Sequence, residues 1–341
     1  MGGMCLLAWP MEVVGYWWWA GRIFLRKRGL SSVCARKAGS ARWIRGPAGE
    51  REEMSGSREL RQLEKAKSKA QKTRNLKEEA TICNQLGEIL AKNGHFREAI
   101  EEHRQELHIF EGLCDLIGCA VANRRIGECF AELGNYEAAL KHQRRHLDLA
   151  RSVSDDIEEQ RALATIGRTY LYMHESSQAD GTLEQAESAF LKSLAIVDDK
   201  LEGKVSSREL SEMRARLFLN LGFLSDSKKD PAKCSSYIRK SIFIAEKTHL
   251  YEDLYRANFN LGCIHLRQGE PSRAIRCLEA AKESARKMKE KLMESECFAV
   301  IGQVLLSLGD LVAAKRSLKK AHLLGSQRTE ERQVVRRNLK Y

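Results

Sequence analysis

The stretches "NLGFLSDSKKD" (220–230) and "NLGCIHLRQGE" (260–270) open with the same three residues and begin forty positions apart. A bulky aliphatic residue followed by glycine recurs along most of the chain. The recurring glycines are Gly87, Gly127, Gly167, Gly222, Gly262 and Gly302. Successive glycines are forty residues apart except for the third interval, which is fifty-five. The sequence therefore contains an internal repeat, and one of its units carries extra residues.

Two more markers accompany the recurring glycines, one in every unit and one in four units. A small residue follows twelve positions later in five units and nineteen positions later in the third, which predicts a seven-residue insertion there. These small residues are Ala99, Ala139, Ala186, Cys234, Ala274 and Ala314. A second glycine, seven positions after the first in four units, can end a helix in a left-handed cap. Each unit thus reads as two helices, and the small residue is expected where the two helices cross.

Only four prolines occur in 341 residues, and this scarcity favours a chain that is helical almost throughout. The pattern resembles the tetratricopeptide repeat, with a period of forty residues where ordinary units have thirty-four. We expect an all-α protein: a right-handed α-solenoid of tetratricopeptide-like helix pairs, with its array over residues 54–335 and an insertion near 199–213. The six predicted units are 78–118, 119–158, 159–200, 214–253, 254–293 and 294–327.

The first 53 residues differ from the repeat. Of the net charge of +12, these residues carry +5, and they hold a tryptophan-rich apolar run followed by a basic cluster. A signal anchor or a secretory signal peptide would explain that run. Pro10, Glu12 and the shortness of the run argue against an anchor. We expect residues 1–53 to be an atypical, disordered or non-native extension before a second start at Met54, with no membrane role unless the extension is retained.

The sequence offers no chemistry typical of an enzyme. Its ten cysteines are scattered without a Cys-x-x-Cys pair, which disfavours zinc and favours a reducing compartment. His142 and His146 have the spacing of a helical zinc pair, but Gln143 stands where a metalloprotease needs glutamate, so we interpret them as an exposed structural pair. No nucleophile elbow, P-loop or dinucleotide fingerprint is present. We therefore predict no enzyme, no cofactor, no metal and no small-molecule substrate.

A solenoid of this kind binds partners through the surface that its first helices line. Arginine and asparagine recur at positions expected to face that surface, where arginine could hold carboxylates and asparagine could bond an extended peptide. The predicted groove residues are Arg124, Arg125, Arg161, Arg168, Arg216, Asn220, Arg256, Asn260 and Arg267. The alternative is a solvated face on which the arginines pair with glutamates of their own helix, such as Glu128 and Glu132. Because exposed aromatic residues are not interleaved with the basic ones, the sequence disfavours direct nucleic-acid binding.

From Met54 onward the chain is similar to the N-terminal part of the Tonsoku-like proteins. The resemblance rests on "RELRQLEKAKSKAQ" (58–71), "LATIGRTYL" (163–171), "KSLAIVDD" (192–199), "RKSIFIAEKTHLYEDLYRANFNLGCIH" (239–265) and "LGDLVAAKRSLKKAHLLGSQ" (308–327). It implies a scaffold of nuclear complexes in replication-fork and double-strand-break repair by homologous recombination. It also implies binding of histones or histone chaperones, with acidic segments of chromatin, replication or repair factors as partners.

In that family ankyrin and leucine-rich regions follow the array, so residues 336–341 are expected to be a truncated end. No histone-reading residue of the family falls within this chain. The alternative is a cytoplasmic adaptor with extended tetratricopeptide repeats that couples signalling or cytoskeletal partners.

Overall fold

The computed structural model describes residues 49–324, with side chains described from residue 59 onward. Within this range the chain forms thirteen α-helices and no strand. The helices are α1 (Gly49–Lys72), α2 (Leu76–Lys92), α3 (Phe96–Gly112), α4 (Leu116–Glu132), α5 (Tyr136–Ser152), α6 (Asp156–Ser177), α7 (Thr182–Asp199), α8 (Ser207–Ser227), α9 (Pro231–Lys247), α10 (Tyr251–Arg267), α11 (Pro271–Met288), α12 (Lys291–Ser307) and α13 (Leu311–Leu324). The described residues divide into two compact units, the N-terminal unit (49–210) and the C-terminal unit (211–324). The all-α repeat architecture predicted from the sequence is confirmed.

Helices α2 to α13 form six consecutive pairs, and we call the first helix of each pair the A helix and the second the B helix. Each A helix packs against the B helix that follows it. In four pairs the A helix ends at a glycine in the left-handed region, with φ between 75° and 84°. These residues are Gly94, Gly134, Gly269 and Gly309. The left-handed caps predicted from the glycine spacing are therefore confirmed.

Local sequence also sets where helices begin. Asp115, Asn135 and Asp155 each precede a helix, and each side chain accepts a hydrogen bond from a backbone N–H of the first turn. Pro231 and Pro271 open α9 and α11, where a missing N–H costs no helical hydrogen bond. Two of the four prolines thus stand one repeat apart at equivalent positions.

The recurring glycine of each A helix lies against its B helix. A Cβ atom on Gly127 would lie 2.8 Å from Gln143 Cγ and 3.1 Å from the carbonyl oxygen of Ala139. On Gly262, a Cβ atom would lie 3.0 Å from Leu278 Cγ. The small residue twelve positions after each of these glycines is fully buried. The glycine and the small residue together let the two helix backbones approach more closely than larger side chains would allow.

The extra residues of the third interval lie in several places. Helix α6 has 22 residues and α8 has 21, against 17 in α4. Residues 200–206 connect α7 to α8, whereas three residues separate α5 from α6. The predicted position near 199–213 covers the connection and the start of α8. The lengthening of α6 lies outside it and accounts for five of the seven extra residues between Gly167 and Ala186.

Most of helix α1 lies within the predicted array (54–335), although it precedes the first of the six predicted units. It packs on α2 through Leu60, Leu63 and Ala70, which contact Ile82 and Leu86. Its backbone begins at Gly49 and crosses the predicted boundary at 53/54 without a break. Most of the predicted extension (1–48) and the predicted truncated end (336–341) lie outside the described residues.

A B-helix position nineteen residues after the glycine is buried in every pair, although its chemistry varies. In α9 this position holds Ser241. In α7 it holds Ser193, which lies twenty-six positions after Gly167 because the third unit carries seven extra residues. The Ser193 hydroxyl donates to the carbonyl oxygen of Gln160 at 3.0 Å, and Ser241 donates to that of Ala215 at 2.7 Å. In α5 the same position holds His146, which belongs to the site described below.

We predict that Gly127→Ala destabilises the protein, although alanine favours helices. The new methyl group would displace Gln143 and press on the α5 backbone, and overpacking of this kind costs about 1–3 kcal/mol. Gly112→Ala is the control, because nothing lies within 4 Å of a Cβ atom there and its φ is not positive. Its free energy of unfolding should stay level or rise by up to about 1 kcal/mol. Urea unfolding of both variants measures the difference, and equal stability would contradict the packing argument.

Candidate protein-binding surface

The predicted groove arginines of the N-terminal unit lie on α4 and α6 and are paired with carboxylates. Arg125 forms an ion pair with Glu88 of α2 and a second, at 3.5 Å, with Glu128 of its own helix. Arg161 of α6 pairs with Glu209 at 3.2 Å. Most of these contacts join one A helix to the next, whereas the sequence alternative had pairs within one helix.

Glu158, at the start of α6, is the centre of a buried charge cluster. His146 Nε2 donates to its carboxylate at 2.8 Å, Arg161 Nη1 donates at 2.6 Å, and Arg124 Nε lies 3.7 Å away. Burial alone would raise the pKa of the Glu158 carboxyl group. The hydrogen bond from His146 and the charges of Arg124 and Arg161 outweigh burial and lower that pKa to about 2. This carboxylate therefore holds α4, α5 and α6 together in its ionised form.

The C-terminal unit repeats the arrangement on α8 and α10. Arg216 Nε of α8 donates to Asp253 Oδ1 of α10 at 3.0 Å, and Arg267 of α10 donates to Asp226 of α8 at 2.7 Å. Two arginine–carboxylate pairs thus join these neighbouring A helices, and each helix supplies the arginine of one pair and the carboxylate of the other. Arg216 also pairs with Glu212 of its own helix at 3.4 Å, and Arg256 pairs with Glu252 of its own helix, so the sequence alternative is confirmed in part.

The predicted asparagines differ from the arginines in their surroundings. Asn260 is buried, and its side-chain amide donates to the carbonyl oxygen of Arg256 at 2.7 Å. Its amide nitrogen is thus engaged inside its own helix and does not face an open surface. Asn220 and Arg168 are both half-buried.

The nine predicted groove residues are divided between the two units. Arg124, Arg125, Arg161 and Arg168 lie in the N-terminal unit, and Arg216, Asn220, Arg256, Asn260 and Arg267 lie in the C-terminal unit. Within each unit, arginines of A helices meet carboxylates of neighbouring A helices. Their role in binding an acidic partner stays a prediction, because each ion-paired arginine would have to exchange its present carboxylate for that of the partner.

The histidine pair is structural but not exposed. His146 is fully buried, and His142 is half-buried, with Nδ1 2.9 Å from Asn123 Oδ1 and its ring stacked on Phe130. The prediction of exposure was wrong because both residues point toward α4 and α6 from the packed side of α5. Within residues 49–324, no group of three or more histidine, cysteine or acidic residues could hold a metal ion. None of the helices described is both long and apolar enough to cross a membrane.

We predict that Glu158→Gln destabilises the protein at pH 7 by up to about 3 kcal/mol, the linkage value of its lowered pKa. A pKa lowered on folding stabilises the folded state above the ordinary pKa of 4.5 and loses that effect as the pH falls to about 2. The difference between wild type and Glu158→Gln should therefore narrow between pH 4.5 and pH 2. Glu88→Gln, on an exposed pair, should cost less than about 1 kcal/mol. Denaturant unfolding across this range tests both, and a difference independent of pH would exclude the ionised carboxylate as the cause.

Comparison with known proteins agrees with the helix-pair geometry. Two tetratricopeptide-repeat family models match residues 118–203 and 255–288. Among solved structures, the apo form of RapI superposes with a TM-score of 0.56 over 85% of this chain and 95% of that chain, at 14% identity. Aspartyl phosphate phosphatase F from Bacillus subtilis gives a TM-score of 0.55 over 81% of this chain and 70% of that chain, at 16% identity. Likenesses at such low identity establish the fold alone.

Sequence relatives are much more similar. The chain is 57% identical over 288 residues to Tonsoku-like protein of Mus musculus and 64% identical over 288 residues to that of Danio rerio. The match covers 84% of this chain but 21% and 20% of those relatives, so the chain spans about a fifth of their length. The repeats and the relatives together identify a protein-interaction scaffold. Over its matched residues the chain belongs to the Tonsoku-like family of tetratricopeptide-repeat proteins.

Proposed function

We propose that the chain is a protein-binding scaffold module of a nuclear complex in replication-fork and double-strand-break repair by homologous recombination. The observation that carries the proposal is identity of 57% and 64% to Tonsoku-like proteins over 288 residues. Its partners are proteins, with acidic segments of chromatin, replication or repair factors and histone chaperones as the expected class. Its place of action is the nucleus, at chromatin and replication forks. It has no catalytic role.

The A-helix arginines differ in how readily they could exchange a carboxylate. Arg125 and Glu88 have side chains 30% and 44% exposed, and an ion pair this open contributes at most about 1 kcal/mol. A partner carboxylate could replace Glu88 at little cost. Arg124 is 18% exposed beside Glu158 at 8%, and breaking a buried pair leaves an uncompensated charge. We therefore assign partner contacts to the exposed pairs and a structural role to Arg124.

The same criterion selects Arg267 in the C-terminal unit, because its side chain is 44% exposed and that of its partner Asp226 is 22% exposed. Arg216 is exposed, but its partner Asp253 is only 4% exposed, so losing this pair would leave a buried charge and we assign Arg216 a structural role. A guanidinium can form two parallel hydrogen bonds with a carboxylate, which gives geometric selectivity for aspartate and glutamate. Within each unit the arrangement supports recognition of an acidic segment laid across neighbouring A helices.

Inverting one exposed pair separates binding from stability. In the double variant Glu88→Arg/Arg125→Glu, the ion pair can re-form with its direction reversed, so the free energy of unfolding should stay within about 1 kcal/mol of wild type. The charge offered to a partner is inverted at that place. We expect the full chain to recover histone chaperones, replication or repair proteins from nuclear extract, and the inverted variant to recover at most one third as much. Quantitative mass spectrometry after affinity capture measures both.

The matched control is Glu101→Arg/Arg104→Glu, which reverses an exposed ion pair within the B helix α3. It should recover the same nuclear partners as wild type. Equal recovery by both inverted variants would keep the nuclear scaffold but remove the A-helix arginines from its binding site. Recovery of signalling or cytoskeletal proteins alone, from cytosolic extract, would replace the nuclear proposal with the cytoplasmic adaptor.

A further inference from the structure

Helix α9 of the C-terminal unit carries an open depression of about 550 Å³ on its exposed side. Its wall consists of Ala232, Ser235, Ser236, Arg239, Lys240 and Phe243. These residues follow one another at intervals of three and four, so they form one stripe along the helix, which we call the α9 stripe. Cys234, Ile238 and Ala245 of the same helix are buried against its neighbours. The stripe is thus the side of α9 that no described helix of its unit covers.

The charge of the α9 stripe is not neutralised as that of the A helices is. Among the described residues, no carboxylate forms an ion pair with Arg239 or Lys240, whereas Lys233 at the start of the helix pairs with Asp230 at 3.4 Å. The basic surface continues onto α11, because the guanidinium groups of Arg239 and Arg276 both lie close enough to the Cys277 thiol to oppose the effect of burial on its pKa. A guanidinium, an ammonium group and two serine hydroxyls therefore lie within two turns of helix.

An apolar anchor lies at the end of the stripe. The Phe243 side chain is 56% exposed, one turn beyond Arg239 and Lys240. Lys247 Nζ lies 4.4 Å from the centre of its ring, and Lys240 Nζ lies 5.5 Å from that of Phe218. Both rings thus have a cation over one face, which restricts the base stacking that single-stranded nucleic acid uses. More than half of Phe243 is exposed, so its ring remains available to an aliphatic side chain.

We propose that the α9 stripe binds an acidic segment of a partner protein, with carboxylates on Arg239 and Lys240 and an apolar side chain against Phe243. From Ala232 to Phe243 the stripe is about 17 Å long at the α-helical rise. An extended segment of about five residues spans that length. The surface is separate from the A-helix arginines, and its binding of acidic peptides does not depend on the nuclear role proposed above.

The test uses the full chain and a fluorescein-labelled synthetic octapeptide in which glutamate and leucine alternate. Fluorescence anisotropy at low salt measures its Kd, with a glutamine-for-glutamate peptide and a labelled octathymidylate as comparison probes. We expect Arg239→Glu/Lys240→Glu to weaken peptide binding at least tenfold and Phe243→Ser to weaken it about threefold. The control Lys315→Glu/Arg316→Glu makes the same charge change on the exposed side of α13 and should stay within twofold of wild type.

Four results would overturn the proposal. The first is no binding of the acidic peptide by wild type. The second is an α13 control that weakens binding as much as the α9 variant does, which would leave only non-specific charge. The third is equal binding of the glutamine peptide, which would remove the role of the carboxylates. The fourth is octathymidylate binding that is tighter than peptide binding and is lost in Arg239→Glu/Lys240→Glu, which would make the surface one for nucleic acid. Glu88→Arg/Arg125→Glu leaves α9 untouched, so peptide binding lost in that variant is binding at the A helices, whereas binding lost in Arg239→Glu/Lys240→Glu is binding at the α9 stripe. Failure of either proposal is therefore distinguishable.

Discussion

The close approach of each A helix to its B helix at the recurring glycine is the constraint on which the repeat depends. The residue that meets this glycine varies from His103 and Gln143 to Phe190 and Leu278. The glycine itself is present in every pair, and the small residue after it is always alanine or cysteine. A side chain that faces the glycine can change its rotamer to fit. The two backbones are so close, however, that a side chain at the glycine position or a larger one at the small-residue position would not fit between them. Backbone spacing is therefore fixed in every pair, while the chemistry of the core is free to change.

Fixed spacing between helices also explains where the ion pairs form. Arg125 and Glu88 are 37 residues apart, as are Arg216 and Asp253, and Arg267 and Asp226 are 41 apart. These separations are close to the forty-residue period because each pair joins equivalent helices of consecutive repeats. A pair within one helix would need a separation of three or four, as in Arg256 and Glu252. The period that appears in the sequence thus sets the distance along the chain between charges that meet in space.

The sequence predicted the helices, the glycine caps and the small residue of each pair, because each leaves a mark at a constant interval. It did not predict which carboxylate each arginine meets, since that depends on side-chain direction across two helices. The buried His146–Glu158 contact had no recurring signal, because other units place glutamate, serine or alanine at the position of His146. Asn260 repeats Asn220 at forty residues, yet its amide bonds within its own helix. A repeated polar residue therefore indicates an equivalent position, whereas its role depends on neighbours that do not repeat.

Charge is distributed unequally between the two kinds of helix in the C-terminal unit. The A-helix arginines Arg216 and Arg267 have carboxylate partners, so their charge contributes to holding α8 and α10 together. Helix α13 carries four exposed basic residues and no acidic one, and on α9 the central basic residues have no carboxylate partner. Unpaired surface charge adds little to folding stability, but it raises the rate at which an oppositely charged partner associates. Removing Arg239 or Lys240 from α9 therefore changes the attraction for acidic partners with little effect on the fold, whereas removing Arg267 from α10 changes both.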